Sequence, residues 1–260
     1  MQEFALKCFG VGDGLPCTDR NHAAFLYRLG KTSILIDCGE PIDGSYKASG
    51  LGYDLIDSIF LSHLHSDHAG GFFMLMQGFW LEGRKKSLPV YLPAYGVKPV
   101  RDMLRAALLF ESLLPFHLQL LPLRTTRPVL VDKVKVTGFP TSHLERLKAR
   151  FRKSRPRDFT SYCFLIESGN RRVGHSSDLG KPEDLEPLLR EPLDLLVCEL
   201  AHFPPKDIFS YLKGRPIKHV AFVHLGRDLW QNLAATRRLA ASMLPELPHT
   251  FARDYDEISF

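Results

Sequence analysis

The chain has 260 residues, of which 45% are hydrophobic and 24% are charged, and its formal net charge is +5. This balance is typical of an ordinary soluble globular protein and excludes a disordered chain or a collagen-like fibre. No apolar run approaches the roughly 20 residues that a membrane-spanning helix needs, since even Gly71–Trp80 contains Gln77, so we do not expect an integral membrane protein.

Short strand-like runs, separated by Gly, Pro, Asn and Asp, dominate the first part of the chain. A helical repeat of apolar residues follows them. In chain order the sequence predicts strands at Phe25–Leu29, Ser33–Asp37 and Ile56–Ser62, a helix at Ala69–Trp80, a strand at Pro89–Leu92 and a helix at Lys98–Leu114.

A second strand-rich block begins after this helix and repeats the same order, with strands first and helices after them. It predicts strands at Leu118–Leu123, Val129–Gly138, Thr160–Glu167 and Arg171–His175, a helix at Pro182–Arg190, a strand at Leu193–Glu199, a helix at Pro205–Lys213, a strand at His219–His224 and a helix at Leu229–Leu244. Two such halves indicate two sheets packed face to face with helices outside. Periodicity alone leaves the class open between α/β and α+β.

The cysteines and the N-terminus indicate the compartment. The five cysteines are an odd number and form no C-x-x-C pair, which argues against a disulfide framework and against a zinc ribbon. We therefore expect reduced, mostly buried thiols. The first eight residues lack the basic-then-apolar layout of a secretory signal, and together these features predict a cytoplasmic protein.

The strongest chemical feature is the segment His63-Leu64-His65-Ser66-Asp67-His68, directly after a predicted apolar strand. In an extended stretch His63 and His65 point to the same side. The turn that follows can bring Asp67 and His68 round to a second, adjacent point. The spacing therefore suits two neighbouring metal ions better than one.

Further potential ligands lie near the ends of predicted strands. His143 follows the strand Val129–Gly138, Asp178 follows the strand Arg171–His175, and His224 ends its own strand. Functional side chains commonly converge where loops meet at one edge of a scaffold. With the histidine-rich segment, these residues make a set of five imidazoles and two carboxylates.

The sequence resembles the metallo-β-lactamase superfamily, and within it is most similar to the ribonuclease Z group of phosphodiesterases. The His63–His68 motif is the most specific point of resemblance. The other matching segments are Phe9–Pro16, Arg20–Ala24, Ile36–Glu40, Ser161–Phe164 and Ser176–Asp178, in which Ser177 stands where the family usually has glycine.

The resemblance implies one domain over residues 1–260 with a four-layer αββα sandwich, an α+β fold of two mixed sheets flanked by helices. It assigns His63, His65 and His143 to one metal ion, Asp67, His68 and His224 to another, and Asp178 to both. Nitrogen and oxygen ligands without thiolate suit Zn²⁺ and also accept Mn²⁺ or Fe²⁺. Two such ions would provide a bridging hydroxide that attacks a phosphodiester.

Four residues at or near the ligands are expected to assist the reaction. Asp67 is predicted to act catalytically as well as to bind metal. Glu199 and His202 occupy places similar to those of the family's proton-transfer pair, which assists the leaving oxygen. Asp37, at a strand end near the site, is expected to orient a ligand imidazole or else to form only a turn.

The net charge is concentrated in one segment that directly follows His143. Seven basic residues lie between Arg146 and Arg157 with no acid among them, and without them 27 basic residues remain against 29 acidic ones. Such a run either contacts substrate phosphates, including those of RNA, or is a solvated surface. We predict that the substrate is contacted by Arg146, Lys148, Arg150 and Arg152.

The same region lacks room for the long arm with which ribonuclease Z enzymes bind transfer RNA, because His143 and Asp178 are only 35 residues apart. Three functions therefore compete. The first is a phosphodiesterase acting on RNA ends, cyclic nucleotides or a small phosphodiester. The others are a hydrolase of a lactam, lactone or thioester, and a binding protein without catalysis, which the complete ligand set disfavours. The resemblance also carries the expectation of a homodimer.

Overall fold

The structure is a computed structural model that describes residues 4–151, 153 and 159–260. Its first sheet contains seven strands, which are β1 (Phe4–Gly10), β2 (Ala24–Leu29), β3 (Thr32–Ile36), β4 (Ser58–Phe60), β5 (Leu88–Leu92), β6 (Leu118–Pro122) and β14 (Glu257–Ser259). They lie in the order β14-β1-β2-β3-β4-β5-β6.

The second sheet also contains seven strands, which are β7 (Pro128–Val131), β8 (Val134–Thr141), β9 (Ser161–Ser168), β10 (Arg171–His175), β11 (Leu195–Leu200), β12 (Val220–Leu225) and β13 (His249–Phe251). They lie in the order β13-β12-β11-β10-β9-β8-β7. Each sheet is mixed, because an antiparallel block joins a parallel one at β3–β4 and at β9–β10–β11.

Helices connect the strands, and five of those described pack against the outer faces of the sheets. They are α1 (Ile42–Ala48), α2 (Ser66–Ala69), α3 (Phe72–Leu81), α4 (Val97–Ala106), α5 (Glu145–Arg150), α6 (Pro205–Leu212), α7 (Arg227–Gln231) and α8 (Leu233–Met243), with 3-10 turns at Ala94–Gly96 and Pro182–Leu185.

Three apolar cores explain why the layers stack. The central core joins the inner faces of the two sheets, with Phe25 and Phe60 from the first packed near Phe164 and Val197 from the second. The second core lies between the first sheet and α1, α3 and α4, and the third lies between the second sheet, α6 and α8. Each sheet buries both faces, which is the physical basis of a four-layer αββα sandwich. The predicted fold class is confirmed.

Some predicted elements are wrong in their bounds. The strand predicted at Val129–Gly138 is a hairpin of β7 and β8, because Asp132 takes the left-handed conformation (φ 52°) that a tight turn requires. The helix predicted at Lys98–Leu114 ends at Ala106, since Leu108 is left-handed (φ 62°).

Two further helices differ from the prediction. The helix predicted at Pro182–Arg190 is a 3-10 turn that ends at Leu185, and Pro187 lacks the N–H that a continuing helix needs. The helix predicted at Leu229–Leu244 is α7 and α8, separated at Asn232, whose backbone is not helical. Strands β1, β13 and β14 were not predicted.

The cysteines agree with the sequence prediction. All five are free, and only Cys17 is exposed. Among the described residues, no helix combines the length and apolar character that crossing a bilayer requires.

Candidate metal centre

The histidine-rich segment lies where β4 ends in the parallel half of the first sheet. His63 is completely buried, and α2 begins at Ser66 directly after His65. The short helix turns the chain, so that Asp67 and His68 face the same space as the two earlier histidines from another side.

Close backbone packing positions this turn. The Cys38 N–H donates to the His68 carbonyl oxygen at 2.6 Å, and the Gly71 N–H donates to the Cys38 carbonyl oxygen at 2.8 Å. A Cβ at Gly71 would lie 2.9 Å from the Gly39 carbonyl oxygen, so only glycine permits this approach. The glycines after the motif therefore serve the position of His68.

The remaining ligands come from the second sheet. His143 follows β8, Asp178 follows β10, and His224 lies inside β12. His224 is left-handed (φ 49°) at a register shift between β11 and β12. Such a bulge re-aims a side chain, and here it turns an otherwise strand-bound imidazole into the site.

The seven side chains form two groups that share Asp178. Their potential ligand atoms lie within 4.8 Å of one another in each group. The first group is His63, His65, His143 and Asp178, and the second group is Asp67, His68, His224 and Asp178.

The two oxygens of Asp178 face different groups. Oδ2 lies 3.6 Å from His63 Nε2 and 3.5 Å from His143 Nε2. Oδ1 lies 3.1 Å from His68 Nε2 and 3.3 Å from His224 Nε2. This is the geometry of a carboxylate that bridges two ions.

The distances between donors fit a tetrahedral ion. Ligands at 2.0–2.1 Å from Zn²⁺ stand about 3.3 Å apart. In the second group His68 Nε2 lies 3.4 Å and His224 Nε2 3.7 Å from Asp67 Oδ2. Within the described part of the chain, His68 Nε2 and Asp178 Oδ1 are buried without a hydrogen-bond partner, which is costly unless an ion satisfies them. The donor set therefore fits two metal ions.

The electrostatics favours the ligand forms of the first group. Burial holds the pKa of His63 well below its ordinary value and lowers that of His143 to about 4, so both imidazoles are neutral. Although burial opposes ionisation of Asp178, the imidazoles of His224 and His68 hold its carboxyl pKa well below the usual range. Neutral imidazole and ionised carboxylate are the forms that bind metal.

Asp37 lies behind His68 and is completely buried. Its Oδ2 is 2.7 Å from His68 Nδ1, while its Oδ1 accepts the Ser62 N–H at 2.7 Å. Burial disfavours a charged His68, but the carboxylates of Asp178 and Asp37 outweigh it and raise the His68 pKa. The contact fixes the ring with Nε2 towards the other ligands.

Ser62 is a supporting residue that the sequence reasoning missed. Its hydroxyl donates to Asp37 Oδ2 at 2.9 Å and lies 3.0 Å from His63 Nδ1, whose N–H it can accept. Asp37 thus orients His68 directly and His63 through Ser62. Only the position of Ser62, just before the first histidine of the motif, could have pointed to it.

Glu199 and His202 lie together at the rim of the site. His202 Nδ1 is 2.8 Å from Glu199 Oε1, and His202 Nε2 is 3.6 Å from Asp178 Oδ2. Glu199 is 1% exposed and also accepts the backbone N–H groups of Leu179 and Ala201. Burial disfavours the charged imidazolium, but the hydrogen bond and charge of Glu199 prevail and raise the His202 pKa to about 9. A protonated donor therefore faces the ligand cluster.

The predicted substrate-binding residues follow the ligand His143 in sequence, and their contact with a substrate stays a prediction. Arg146, Lys148 and Arg150 belong to α5, which begins two residues after His143 and has no buried residue. Lys148 Nζ lies 3.6 Å from Glu145 Oε1 on the same helix. Among the contacts of the described residues, none joins these three side chains to a ligand. Arg152 lies outside the described residues, as do Arg155 and Arg157.

Comparison with known sequences matches the chain to a family model and to curated proteins. A family model described as Anti-Pycsar protein Apyc1 matches residues 4–210. The ribonuclease Z of Archaeoglobus fulgidus is 31% identical over 145 residues, which cover 54% of this chain and 45% of that protein. The chain spans about half the length of the curated ribonuclease Z relatives that it matches.

Solved structures share the architecture over nearly the whole chain. The metallo-beta-lactamase fold protein YhfI from Bacillus subtilis has a TM-score of 0.79 at 18% identity, with 100% of both chains covered. The short form of human tRNase Z has a TM-score of 0.72 at 19% identity, with 98% of both chains covered. These likenesses confirm the predicted metallo-β-lactamase fold.

Proposed function

The chain belongs to the family of the Anti-Pycsar protein Apyc1, and we propose that it is a phosphodiesterase that depends on two divalent metal ions. The observation that carries this proposal is Asp178, whose two oxygens each face three further ligand atoms. Relatives named ribonuclease Z support a phosphodiester substrate, because a ribonuclease acts on phosphodiester bonds. The competing hydrolysis of a lactam, lactone or thioester would use the same ligands.

Zinc is the proposed metal. The donors are imidazole nitrogens and carboxylate oxygens at separations of 3.1–3.7 Å, which suit tetrahedral Zn²⁺. Mn²⁺ and Fe²⁺ accept the same donor types. When bound, two such ions polarise the phosphoryl group and make a water molecule acidic enough to attack it near neutral pH.

The protein's own groups would position the water and deliver a proton. Asp67 faces its group through Oδ2, which leaves Oδ1 to accept a hydrogen bond from the attacking water. His202, held by the carboxylate of Glu199, would donate a proton to the leaving oxygen. Such a proton donor would assist any poor leaving group, so the preference for a phosphodiester rests on the relatives named ribonuclease Z.

The substrate itself is proposed only as a class. The proposed class comprises RNA ends, cyclic nucleotides and small phosphodiesters, and contact with RNA through the basic segment 146–157 stays a prediction. A homodimer, a cytoplasmic location and a single domain over residues 1–260 also stay predictions.

A substrate panel tests the reaction class. Purified protein loaded with Zn²⁺ or Mn²⁺ is assayed on bis-p-nitrophenyl phosphate and on a chromogenic cephalosporin. We expect turnover of the phosphodiester. If only the cephalosporin were hydrolysed, the proposed phosphodiesterase function would be wrong and hydrolysis of a carbonyl substrate would be the better proposal.

The role of His202 is tested by the leaving group. In the His202→Ala variant, the rate on an alkyl phosphodiester should fall by about 100-fold or more, because the departing alkoxide needs a proton. The rate on a p-nitrophenyl ester should fall far less, since p-nitrophenolate is a good leaving group. Equal losses on both substrates, with unchanged metal content, would exclude His202 as the proton donor.

A further inference from the structure

The two loops that carry His143 and Asp178, at residues 141–144 and 178–181, meet beside the candidate metal centre. Thr141 Oγ1 of the first loop donates to the Asp178 carbonyl oxygen at 2.8 Å. A Cβ at Gly180 would lie 2.6 Å from the Ser142 carbonyl oxygen, so the loops approach more closely than a larger residue at position 180 allows. This approach accompanies the separation of 3.5 Å between Asp178 Oδ2 and His143 Nε2.

Asp184 joins these two loops from outside the ligand groups. Its Oδ2 accepts the backbone N–H groups of Ser142 and Gly180, each at 2.9 Å. The Ser142 hydroxyl donates to the same oxygen at 2.9 Å. Asp184 lies in the 3-10 turn Pro182–Leu185, and its neighbour Leu185 is completely buried in the third core. One carboxylate on an anchored turn therefore holds both ligand loops through charge-assisted hydrogen bonds.

The imidazole of His143 lacks the support that other ligand rings have. The rings of His63 and His68 each contact a supporting residue through Nδ1. Within the described part of the chain, the hydrogen-bonding partner of the His143 ring is only another ligand, His65. The position of this ring therefore depends on its backbone, which Ser142 anchors directly before it.

We propose that Asp184 is a positioning residue for the first ligand group, and this inference rests on the proposed site for two metal ions. Without the Asp184 carboxylate, the loop of His143 separates from that of Asp178, and the first group binds its ion more weakly. The second group does not contain His143. Asp178 also keeps the contact of its carbonyl oxygen with Thr141. The second group therefore retains its affinity.

Two variants open the contact between the loops by different means. Asp184→Asn removes the charge and leaves a single acceptor oxygen for the three donors of Ser142 and Gly180. Gly180→Ala keeps every hydrogen-bonding group but adds a Cβ that forces the loops apart. Because Gly180 is exposed, this second variant keeps the test decisive if Asp184→Asn fails to fold.

The measured quantities are the affinities of the two Zn²⁺-binding steps, obtained by titration against a competing chelator. We expect each variant to weaken the step of the first group by about tenfold or more, which is the lower end of what loss of ligand support costs. The other step should be unchanged. His65→Ala, which removes a donor from the first group, identifies the step that belongs to it.

Two matched controls separate positioning from a general loss of stability. Asp194→Asn alters another carboxylate that accepts a backbone N–H, that of Arg172 at 2.9 Å, at the opposite end of β10 from Asp178. It should lower the free energy of unfolding and leave both Zn²⁺ affinities unchanged. Gly44→Ala adds a Cβ that meets no described neighbour within 4 Å, and it should change neither affinity.

The outcomes separate this inference from the proposed function. If neither Asp184→Asn nor Gly180→Ala weakened the step of the first group, or if both steps weakened equally, the positioning role would be wrong and the two-ion site would stand. A wild-type protein that bound fewer than two Zn²⁺ ions per chain would overturn the two-ion site and this inference with it. A protein with two bound ions that hydrolysed no phosphodiester would overturn the proposed phosphodiesterase alone, because the titration does not depend on turnover.

Discussion

The two ligand groups of the candidate metal centre differ in charge and in support. The first has three imidazoles and one oxygen of Asp178, whereas the second has two imidazoles, the other oxygen of Asp178 and the carboxylate of Asp67. Among the residues that the structure describes, only the second group is contacted directly by a further buried carboxylate, that of Asp37. Because carboxylates attract a divalent cation and hold their partners in place, we expect the second group to bind its ion more tightly.

The largest effect is expected from the residue that the two groups share. Asp178→Ala removes one donor from each group and the negative charge between them, so both ions should be lost. Activity should fall by about 1,000-fold or more, since the ions supply several kcal/mol of transition-state stabilisation. Metal content by mass spectrometry and kcat on bis-p-nitrophenyl phosphate check this. Asp102→Ala, on the exposed surface of α4, is the control. Activity that survived in Asp178→Ala would contradict the two-ion mechanism.

The difference in metal affinity between the two groups can be measured by removing one ligand from each group. His65→Ala leaves the second group complete, and that variant should retain about one tightly held ion per chain after dialysis against a chelator. Asp67→Ala leaves only the less charged first group complete and should retain less metal under the same conditions. If Asp67→Ala retained more metal than His65→Ala, the expected order of affinities would be reversed.

A smaller effect should follow from the residues behind the ligands. Asp37→Asn removes the negative charge behind the His68 ring and leaves one acceptor oxygen for both Ser62 and His68, so we expect the metal affinity of the second group to fall by about 10- to 100-fold. Ser62→Ala removes the partner of His63 and should weaken mainly the first group. Stepwise Zn²⁺ titration against a competing chelator resolves the two steps. If both variants weakened both Zn²⁺-binding steps equally, Asp37 and Ser62 would not each support one particular ligand group.

The smallest effect concerns a buried histidine outside both groups. The Tyr27 hydroxyl lies 2.7 Å from His175 Nδ1, and burial lowers the His175 pKa from 6.5 to about 3. Between these two pH values the unfolded chain binds a proton that the folded chain does not. The free energy of unfolding should therefore fall as the pH falls from 6.5 towards 3, by about 1.4 kcal/mol per pH unit.

Denaturation of the metal-free protein at pH 7 and pH 5 checks this dependence. His175→Gln can still bond to Tyr27 and should lose about 2 kcal/mol less than the wild type on acidification. His117→Gln, at an exposed position, is the control. An unchanged loss in His175→Gln would show that another group causes the acid sensitivity.

Local patterns were sufficient to predict much of this protein. The His63–His68 spacing identified four ligands because their approach depends on one strand end and one turn. Regular strands were found where apolar runs are short and bounded by turn residues. Helix bounds failed at Leu108 and Pro187, where apolar residues continue the spacing of a helix although the backbone leaves it.

Support residues were harder to foresee. Ser62 and its links to Asp37 and His63 depend on distances between a strand end and a buried loop, which no spacing encodes. The basic segment 146–157 is the opposite case, because its charge could be predicted from the sequence. Among the contacts of the described residues, none joins a side chain of α5 to a metal ligand.

The sequence by itself determined the chemical groups that can bind metal, because ligand spacing is a local property, and its motifs carried the family resemblance that implies the fold class. Alternation and turn residues alone left that class open between α/β and α+β. Only the tertiary structure decided that the two oxygens of Asp178 face different groups, that a bulge turns His224 inwards, and that Asp37 supports His68. These relations arise when two sheets from opposite halves of the chain bury a common core. They are contacts between residues far apart in sequence, and packing alone sets their distances.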